Sequence, residues 1–184
     1  LSEKILEVAK QRGALRHGKY VLSSGKTSNY YFDGRTLTLD PEGANLVARA
    51  VFEVAKEAGA EVVAGPTVGA DPIVAATAAI SYEQGRPISG LIVRKEAKRH
   101  GGERIVEGPL PASAKVMVVD DTCTSGASLL HAISVVEKAG CEVIKVLCVL
   151  DRREGGSNKI KRLGYDFEAI LEADKNGKIK VVCD

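Results

Sequence analysis

Short apolar segments alternate with longer amphipathic ones along most of this chain. Beyond Pro41 the amphipathic segments have the period of helices, and the apolar runs between them have the length of strands. The pattern predicts helices over 41–58, 70–82 and 128–139 and strands over 61–64, 88–93, 115–119 and 143–150. Strands that are apolar almost throughout and alternate with helices are typical of a parallel sheet covered on both faces. Functional residues of such a sheet lie at the carboxyl ends of its strands.

Weaker patterns at the two ends of the chain predict additional elements. They are a helix from Ser2, which can cap it, to about Arg12, strands over 20–22 and 30–33, a helix over 154–163, a strand over 166–171 and a last short strand after a turn at 174–178. No internal repeat or linker divides the sequence, so we expect a single domain over 1–184. Its expected parts are N-terminal hood elements over about 1–40, a core over 41–172 and a C-terminal extension over 173–184.

The composition is that of a folded domain. The 184 residues are 45% hydrophobic and 27% charged, so the chain can bury a full core. A formal net charge of +2 is too small to indicate nucleic acid as the main partner. There is no signal-peptide pattern, and the apolar runs are far shorter than a membrane span. We therefore expect a cytoplasmic protein that binds neither nucleic acid nor membrane.

The cysteines and histidines lack the spacing of a metal site or a disulfide framework. The four cysteines contain no Cys-x-x-Cys pair, and Cys123, Cys141 and Cys148 lie in or beside predicted core elements. The three histidines are widely separated in the sequence. We therefore expect reduced thiols, no disulfide bond and no structural metal.

The most informative segment is VMVVDDTCTSGAS at residues 116–128. It places an apolar strand, two adjacent carboxylates and a turn rich in hydroxyls directly before a predicted helix. Gly126 lets the backbone approach a ligand, so several N–H groups can point at one phosphate at the start of that helix. Asp120 and Asp121 would repel a phosphate and are better suited to accept hydrogen bonds from sugar hydroxyls beside it. The segment therefore predicts a site for a phosphorylated sugar.

A simpler interpretation of the same segment is a helix cap. Acidic, serine and threonine side chains are common at helix N-termini, where they accept hydrogen bonds from backbone N–H groups. One acid would suffice for a cap, however, and this chain has two in succession, Asp120 and Asp121. The second acid favours the sugar-phosphate interpretation.

Residues 116–128 resemble the phosphoribosyl diphosphate (PRPP) signature of type I phosphoribosyltransferases, in which two acids face the ribose and the following loop holds its 5′-phosphate. Three other segments narrow the resemblance to the orotate phosphoribosyltransferases. They are SGKTSNYYFD at 24–33, RKEAKRHG at 94–101 and LDRREGG at 150–156. The segments occur in the order and spacing of that family, and the match runs from about residue 18 to residue 172.

The resemblance implies both a fold and a reaction. The fold is the Rossmann-like type I phosphoribosyltransferase fold, α/β with a central, mostly parallel sheet flanked by helices and a small N-terminal hood. The reaction is Mg²⁺-dependent: N1 of orotate attacks C1 of PRPP to give orotidine 5′-monophosphate and diphosphate, in the synthesis of UMP. Orotate is itself the nucleophile, so catalysis rests on orientation and leaving-group electrostatics. We expect Mg²⁺ on the PRPP diphosphate, with no protein ligand.

The resemblance also assigns residues to roles. It assigns catalysis to Lys98, Asp120 and Asp121. It assigns PRPP binding to Arg94, Lys95, Lys98, His100, Asp120, Asp121, Thr122, Cys123, Thr124, Ser125, Gly126, Ala127 and Ser128. It assigns orotate binding to Thr124, Arg152, Tyr31, Phe32 and Lys26. In the family some residues of the basic loop reach the active site of a partner subunit, which implies a homodimer.

Several of these assignments have ordinary structural alternatives. The loop from Arg94 to Arg104 has five Lys or Arg residues against two Glu, and from composition alone a solvated hairpin is as good an interpretation as a flap over diphosphate. Arg152 offers a fork suited to a carboxylate, but an exposed or helix-capping arginine is the alternative, and adjacent Arg153 leaves the register open. Aromatic residues at 31–32 could pack within a strand. Cys123 suggests sensitivity to thiol modification.

The chain departs from part of the family at two points. Ser23 stands where some members carry a lysine before the Ser-Gly pair, so either Lys26 takes that role or no residue does. Val68-Gly69 stands where those members carry Tyr-Lys, so phosphate contacts there must come from the backbone or from other residues. The Gly-Lys-Thr at 25–27 is not a nucleotide P-loop, because Tyr20 stands where that motif requires glycine.

Two other functions stay open at this point. A phosphoribosyltransferase for a purine or another pyrimidine would share the PRPP half of the site, and a PRPP-sensing regulator would keep that half without catalysis. Arg152 and the segment at 24–33 favour orotate over purines, and the intact basic loop argues against a sensor. A regulator that binds nucleic acid would also need an extended basic face, which is not evident in the sequence.

Replacing Lys98 with alanine should slow the chemical step far more than it weakens PRPP binding. The charge of this lysine matters most as diphosphate leaves, so its loss should lower kcat. Single-turnover kinetics and a PRPP binding titration separate the two effects. A loss that appeared solely in KM would contradict the role assigned to Lys98.

Overall fold

The computed structural model describes residues 1–21, 25, 27–96, 105–174 and 176–182. Three residues with expected roles, Lys26, Lys98 and His100, therefore lie outside the described residues. In chain order the elements are α1 (Ser2–Gln11), β1 (Leu15–Val21), β2 (Thr27–Phe32), α2 (Gly34–Thr38), α3 (Pro41–Ala58), β3 (Val62–Pro66), α4 (Asp71–Glu83), β4 (Ser89–Val93), β5 (Val106–Glu107), β6 (Lys115–Cys123), α5 (Ala127–Lys138), β7 (Glu142–Asp151), α6 (Gly156–Arg162), β8 (Phe167–Ala173) and β9 (Ile179–Val181).

Within the described ranges, seven strands form one sheet in the order β5-β4-β3-β6-β7-β8-β9. The five central strands are parallel to one another, and the edge strands β5 and β9 are antiparallel to their neighbours. The fold predicted from the alternating pattern, a mostly parallel sheet between helices, is confirmed. β1 and β2 pair separately as an antiparallel hairpin near the N-terminus.

Successive side chains of the central strands are buried on opposite faces of the sheet. On one face Val63 and Met117 belong to a core cluster with residues of α1, α3 and α4. On the other face Val118 and Val146 belong to a cluster with residues of α5 and α6. Burial on both faces explains why these strands are apolar throughout, without the alternation of a half-exposed sheet.

A crevice opens beyond the carboxyl ends of β3 and β6, because the chain passes from β3 outward to β4 and then returns to β6 on the other side. In open α/β sheets, ligands bind where the strand order reverses in this way. Gly65 keeps the crevice compact: a Cβ there would lie 2.3 Å from Cβ of Ala70 and 2.7 Å from the carbonyl oxygen of Val119. The start of α4 can therefore pack directly against the ends of the two strands.

The N-terminal hairpin and α2 bring the chain back to this crevice. Leu15 pairs with Phe32, and Asp33 then caps α2 by accepting a hydrogen bond from the N–H of Arg35 at 3.1 Å. Gly34, the first residue of α2, lies so close to Asp121 that a Cβ would be 2.5 Å from its Oδ2. Residues 30–35 thus reach the carboxyl end of β6.

Several details differ from the sequence prediction. The prediction that Ser2 caps α1 is wrong, since Leu1 occupies the cap and Ser2 is buried within the helix. β1 begins at Leu15, well before the predicted strand at 20–22, and most of its side chains are exposed. It is held by backbone pairing with β2, which a local pattern does not record. The predicted pattern missed α2 and β5, because five and two residues are too few to show a period.

Replacing Gly43 with alanine tests whether the packing of α2 against α3 outweighs helix propensity. Alanine favours a helix interior by about 1 kcal/mol over glycine, but its Cβ would lie 2.2 Å from the carbonyl oxygen of Leu37. We expect a net loss of about 1–3 kcal/mol in the free energy of unfolding, measured by urea denaturation. The control Glu57→Ala changes an exposed position of α3 and should shift stability by less than about 0.5 kcal/mol. A more stable Gly43→Ala protein would contradict the packing argument.

Candidate active site

Two connected hollows lie at the crevice between β3 and β6. The larger, of about 340 Å³, is bordered by the ends of both strands and by the start of α2. The smaller, of about 90 Å³, lies over the turn at the start of α5. Asp120, Thr122 and Ser128 line both. A ligand that fills both hollows would therefore place one group at the helix and another against the acids.

The smaller hollow has the features of a phosphate site. Gly126 has a left-handed backbone (φ 75°) and occupies the cap position of α5, and the Ser125 hydroxyl oxygen accepts a hydrogen bond from the N–H of Ala127 at 3.4 Å. Neither Asp120 nor Asp121 caps the helix, so capping does not account for the two acids. The N–H groups of the first turn of a helix have no partner within it and attract anions. Hydroxyls of Thr124, Ser125 and Ser128 border the same hollow.

The two acids lie on a strand, and the expectation that β6 ends at Val119 is wrong. β6 continues to Cys123, with Asp120 paired to Cys148 and Cys123 paired to Asp151 of β7. The polar residues after Val119 resemble a turn in the sequence, but β7 runs alongside them and pairs with Asp120, Thr122 and Cys123. The ladder therefore fixes the backbone that carries both carboxylates.

Burial disfavours the ionisation of both adjacent carboxyl groups. Burial, followed by repulsion from Asp121, raises the pKa of Asp120 to about 8. Burial also raises the pKa of Asp121, against the opposing effects of a hydrogen bond with Asp120 and the positive charge of Arg35. Gly69 adjoins the pair, since a Cβ there would lie 2.7 Å from Oδ1 of Asp121. The site thus holds two poorly solvated carboxyl groups against backbone.

Cys123 belongs to this segment, but its side chain does not face the crevice. The thiol is buried in the core cluster with residues of α5, and the Cys123 carbonyl oxygen accepts a hydrogen bond from the N–H of Arg152 at 2.9 Å. Any contact of Cys123 with PRPP would therefore come from its backbone. Burial also leaves the sulfur little access to reagents, so the expected sensitivity to thiol modification has no support in the structure.

Arg152 lies in an enclosed environment beside the phosphate turn. Its side chain is 8% exposed, and its Nε donates a hydrogen bond to Glu154 at 2.9 Å. Its guanidinium carbon lies 4.7 Å from the centre of the Tyr30 ring. These contacts exclude the interpretation of Arg152 as an exposed surface arginine. A cavity of about 760 Å³ opens beside it, bordered by residues 27–30 of β2, by α6 and by residues near β9.

The neighbouring arginine resolves the register. Arg153 has a left-handed backbone (φ 57°), and its N–H donates to the buried Asp151 carboxylate at 2.8 Å. Its side chain is half exposed and pairs with Glu172 at 3.2 Å. Arg152 is therefore the enclosed one of the two, whereas Arg153 lies at the half-exposed edge of the cavity beside it and pairs with Glu172.

The predicted site residues fall into three groups. Those that line the 340 Å³ hollow are Tyr31, Phe32, Lys95, Asp120, Asp121, Thr122 and Ser128. Those that line the 90 Å³ hollow include Thr124, Ser125, Gly126 and Ala127. Arg152 lines the 760 Å³ cavity next to Tyr30, and the structure does not bring it into the same hollow as Tyr31 and Phe32. Arg94 borders none of these three and pairs with Glu107 at 3.4 Å.

Gly156 joins the Arg152 loop to the phosphate turn. Its N–H donates to the carbonyl oxygen of Thr124 at 3.0 Å, and a Cβ on Gly156 would lie 2.5 Å from the backbone nitrogen of Gly126. The sequence patterns assigned no role to Gly156, Tyr30 or Glu154. The Gly155-Gly156 pair, one residue after the two arginines, was the one available signal of a close backbone approach.

Comparison with known proteins agrees with this geometry. Residues 36–178 match the family described as phosphoribosyl transferase domain. The orotate phosphoribosyltransferase of Nostoc sp. is 42% identical, covering 93% of this chain and 82% of that protein, and that of Aquifex aeolicus is 41% identical, covering 92% and 94%. The crystal structure of Mycobacterium tuberculosis orotate phosphoribosyltransferase in complex with PRPP is 33% identical, covers 93% of this chain and 94% of that one, and superposes with a TM-score of 0.75. Relatives of this similarity over nearly the whole length show that the chain belongs to the orotate phosphoribosyltransferase family.

Proposed function

We propose that this protein transfers the 5-phosphoribosyl group of PRPP to N1 of orotate, which forms orotidine 5′-monophosphate and diphosphate. The observation that carries the proposal is the close placement of a phosphate turn, an acid pair beside it and an enclosed arginine, whose loop contacts the phosphate turn through Gly156. The names of the Nostoc and Aquifex relatives support it, as does the PRPP complex of the Mycobacterium protein.

In this proposal PRPP spans the two connected hollows. Its 5′-phosphate accepts hydrogen bonds from backbone N–H groups at the start of α5, aided by the hydroxyls of Thr124 and Ser128. Its ribose hydroxyls donate to Asp120 and Asp121, which replaces the solvation that burial removes from those carboxyls. Its diphosphate lies toward Lys95, the described residue at the start of the basic loop.

Orotate binds through its carboxylate to Arg152. The Arg152 side chain is long enough to present two parallel N–H donors to a planar carboxylate. Uracil and the purines have no carboxylate and cannot make this contact. Orotate is anionic and serves as its own nucleophile, so the chain supplies orientation and excludes water, with no covalent intermediate on a side chain. The aromatic side chains of Tyr31 and Phe32 border the ribose side of the same region.

The residues present fit a divalent cation that arrives with PRPP. Within the described ranges, no three His, Cys, Asp or Glu side chains are placed to hold a metal by themselves. The poorly solvated acid pair would favour positive charge nearby, so Asp120 and Asp121 would be suited to face a Mg²⁺ ion that arrives with PRPP. When bound, the ion supplies neutralisation of charge on the departing diphosphate.

The proposal extends to assembly and location. We propose a homodimer in which the basic loop of one subunit serves the crevice of the other, and a place in the synthesis of UMP in the cytoplasm. No helix in the described part of the chain has both the length and the apolar character to cross a membrane. Light scattering with an activity assay at matched concentration tests the dimer, since a fully active monomer would contradict a shared site.

The decisive experiment follows orotate absorbance after addition of PRPP and Mg²⁺, with uracil, hypoxanthine and adenine as competing bases. Loss specific to orotate is the expected result. Turnover of another base would overturn the assignment of the base site but keep the PRPP site. PRPP binding without turnover of any base would indicate a PRPP sensor in place of an enzyme.

Replacing Arg152 with alanine should raise KM for orotate by about 10- to 100-fold, since a charged bidentate hydrogen bond is lost. KM for PRPP should stay nearly unchanged. The matched control is Arg49→Ala, which removes an exposed guanidinium of α3 that borders none of the three cavities and should leave both constants close to wild type. Steady-state kinetics with each substrate varied in turn measure the effect. Equal losses for the two substrates would contradict the assignment.

Replacing Asp120 with asparagine should stabilise the ligand-free protein by an amount that grows with pH. Because the pKa of Asp120 rises from 3.8 to about 8 on folding, ionisation opposes folding, and wild-type stability falls as pH rises through this interval. Asparagine does not ionise, so the gain in Tm should increase from about pH 4 to about pH 8 and then level off. Thermal unfolding of both proteins across this range measures it.

The control for this experiment is Asp174→Asn. Hydrogen bonds from the backbone N–H groups of Lys178 and Asn176 lower the pKa of Asp174, so its ionised form favours folding. This variant should show no gain in Tm as the pH rises. A gain at Asp120→Asn that did not vary with pH would mean that Asp120 is already ionised in the folded protein.

A further inference from the structure

The guanidinium group of Arg152 is held on two sides by the protein before any substrate binds. An arginine side chain free to rotate would lose about 2 kcal/mol of rotamer entropy when a ligand fixed it. The Arg152 side chain is 8% exposed, and the backbone N–H of Arg152 donates a hydrogen bond to the carbonyl oxygen of Cys123 at 2.9 Å. Both the backbone of Arg152 and the surroundings of its side chain are therefore fixed by the protein.

Tyr30 supplies one of the two contacts. The guanidinium carbon lies 4.7 Å from the centre of its ring, within the range of a cation–π interaction. The ring is 4% exposed, and burial raises the pKa of the phenol despite the positive charge of Arg152. Gly177 adjoins the ring edge so closely that a Cβ would lie 2.9 Å from Cδ1. The ring is thus fixed in place as a surface for the guanidinium plane.

Glu154 supplies the other contact, at one edge of the guanidinium group. Its Oε1 accepts the hydrogen bond from Nε of Arg152 at 2.9 Å. Among the described residues, no hydrogen bond from Nη1 or Nη2 of Arg152 is seen. The carboxylate thereby occupies the Nε position and leaves the outer pair of N–H donors for a ligand. The negative charge of Glu154 weakens the attraction of Arg152 for the carboxylate of a ligand. Any benefit of Glu154 to ligand binding must therefore come from the orientation that it gives to the guanidinium group.

We propose that Tyr30 and Glu154 are positioning residues that hold Arg152 with its Nη1 and Nη2 donors toward the base cavity, and that they thereby set the preference for a base bearing a carboxylate. The inference rests on the proposed function. Tyr30 fixes the plane of the guanidinium group, and Glu154 fixes its rotation within that plane. Neither residue has to touch the substrate.

The test uses paired variants of the full chain. Tyr30→Leu removes the ring face and Tyr30→Phe keeps it, while Glu154→Ala removes the acceptor and Glu154→Gln keeps one. A contact of about 0.5–2 kcal/mol predicts a KM for orotate raised about 3- to 30-fold in Tyr30→Leu and Glu154→Ala. The conservative variants should stay within about threefold of wild type, and KM for PRPP should not change in any of the four. Glu53→Ala, which removes an exposed carboxylate that pairs with Lys56 on α3 away from the three cavities, is the matched control.

A double-mutant cycle separates positioning from a general structural role. Tyr30→Leu or Glu154→Ala combined with Arg152→Ala should raise KM for orotate no more than Arg152→Ala does alone. Additive losses, or a loss shared with PRPP, would overturn the proposal. If Tyr30→Leu does not fold, the Glu154 pair decides the outcome by the same criteria.

The outcomes for the two proposals are distinguishable. If Arg152→Ala impairs orotate use while Tyr30→Leu and Glu154→Ala behave as wild type, the positioning proposal fails and the proposed function stands. If the wild-type protein does not consume orotate, the proposed function itself fails, and the positioning proposal fails with it.

Discussion

Two adjacent carboxyl groups buried at the end of a central strand are the constraint around which this molecule is arranged. Burial works against ionisation of both Asp120 and Asp121, and repulsion from Asp121 adds to it at Asp120, so a fold selected for stability alone would not place them there. Glycines at 34 and 69 let the backbone of α2 and of the β3–α4 turn press against the pair, where any side chain would collide with it. The surroundings of the acids are therefore a protein-built shell with little water. Functional sites commonly retain such locally unfavourable groups because a ligand completes their interactions.

Hydrogen bonding between β6 and β7 sets where the phosphate turn and the Arg152 loop lie relative to the two acids. Because pairing continues to Cys123 and Asp151, the acids, the phosphate turn and the Arg152 loop leave the sheet from neighbouring strands at the same level. The fully buried Asp151 then turns the chain by accepting the N–H of Arg153. Distances between the three binding regions thus follow from strand register.

The sequence indicated the parts of this structure that depend on local pattern. The strands near 62, 90, 116 and 145 were predictable because burial on both faces leaves an apolar run. Interactions between distant segments were not visible in that pattern. β1 exists through pairing with β2, and the last residues of β6 are a strand because β7 lies beside them. The choice between Arg152 and Arg153 could not be made from two identical residues, and the greater burial of the Arg152 side chain decides it. Tyr30 was overlooked because the family resemblance points to the next two aromatic residues.

The contact between Gly156 and Gly126 limits how this architecture can change. The loop that carries Arg152 and the turn that faces the phosphate site touch backbone to backbone, with room for no side chain at position 156. A chimaera that took only residues 150–156 from a phosphoribosyltransferase of different base preference would misplace both surfaces unless the donor loop approached as closely. The loop that recognises the base and the turn that recognises the phosphate must therefore be exchanged together when either one is engineered.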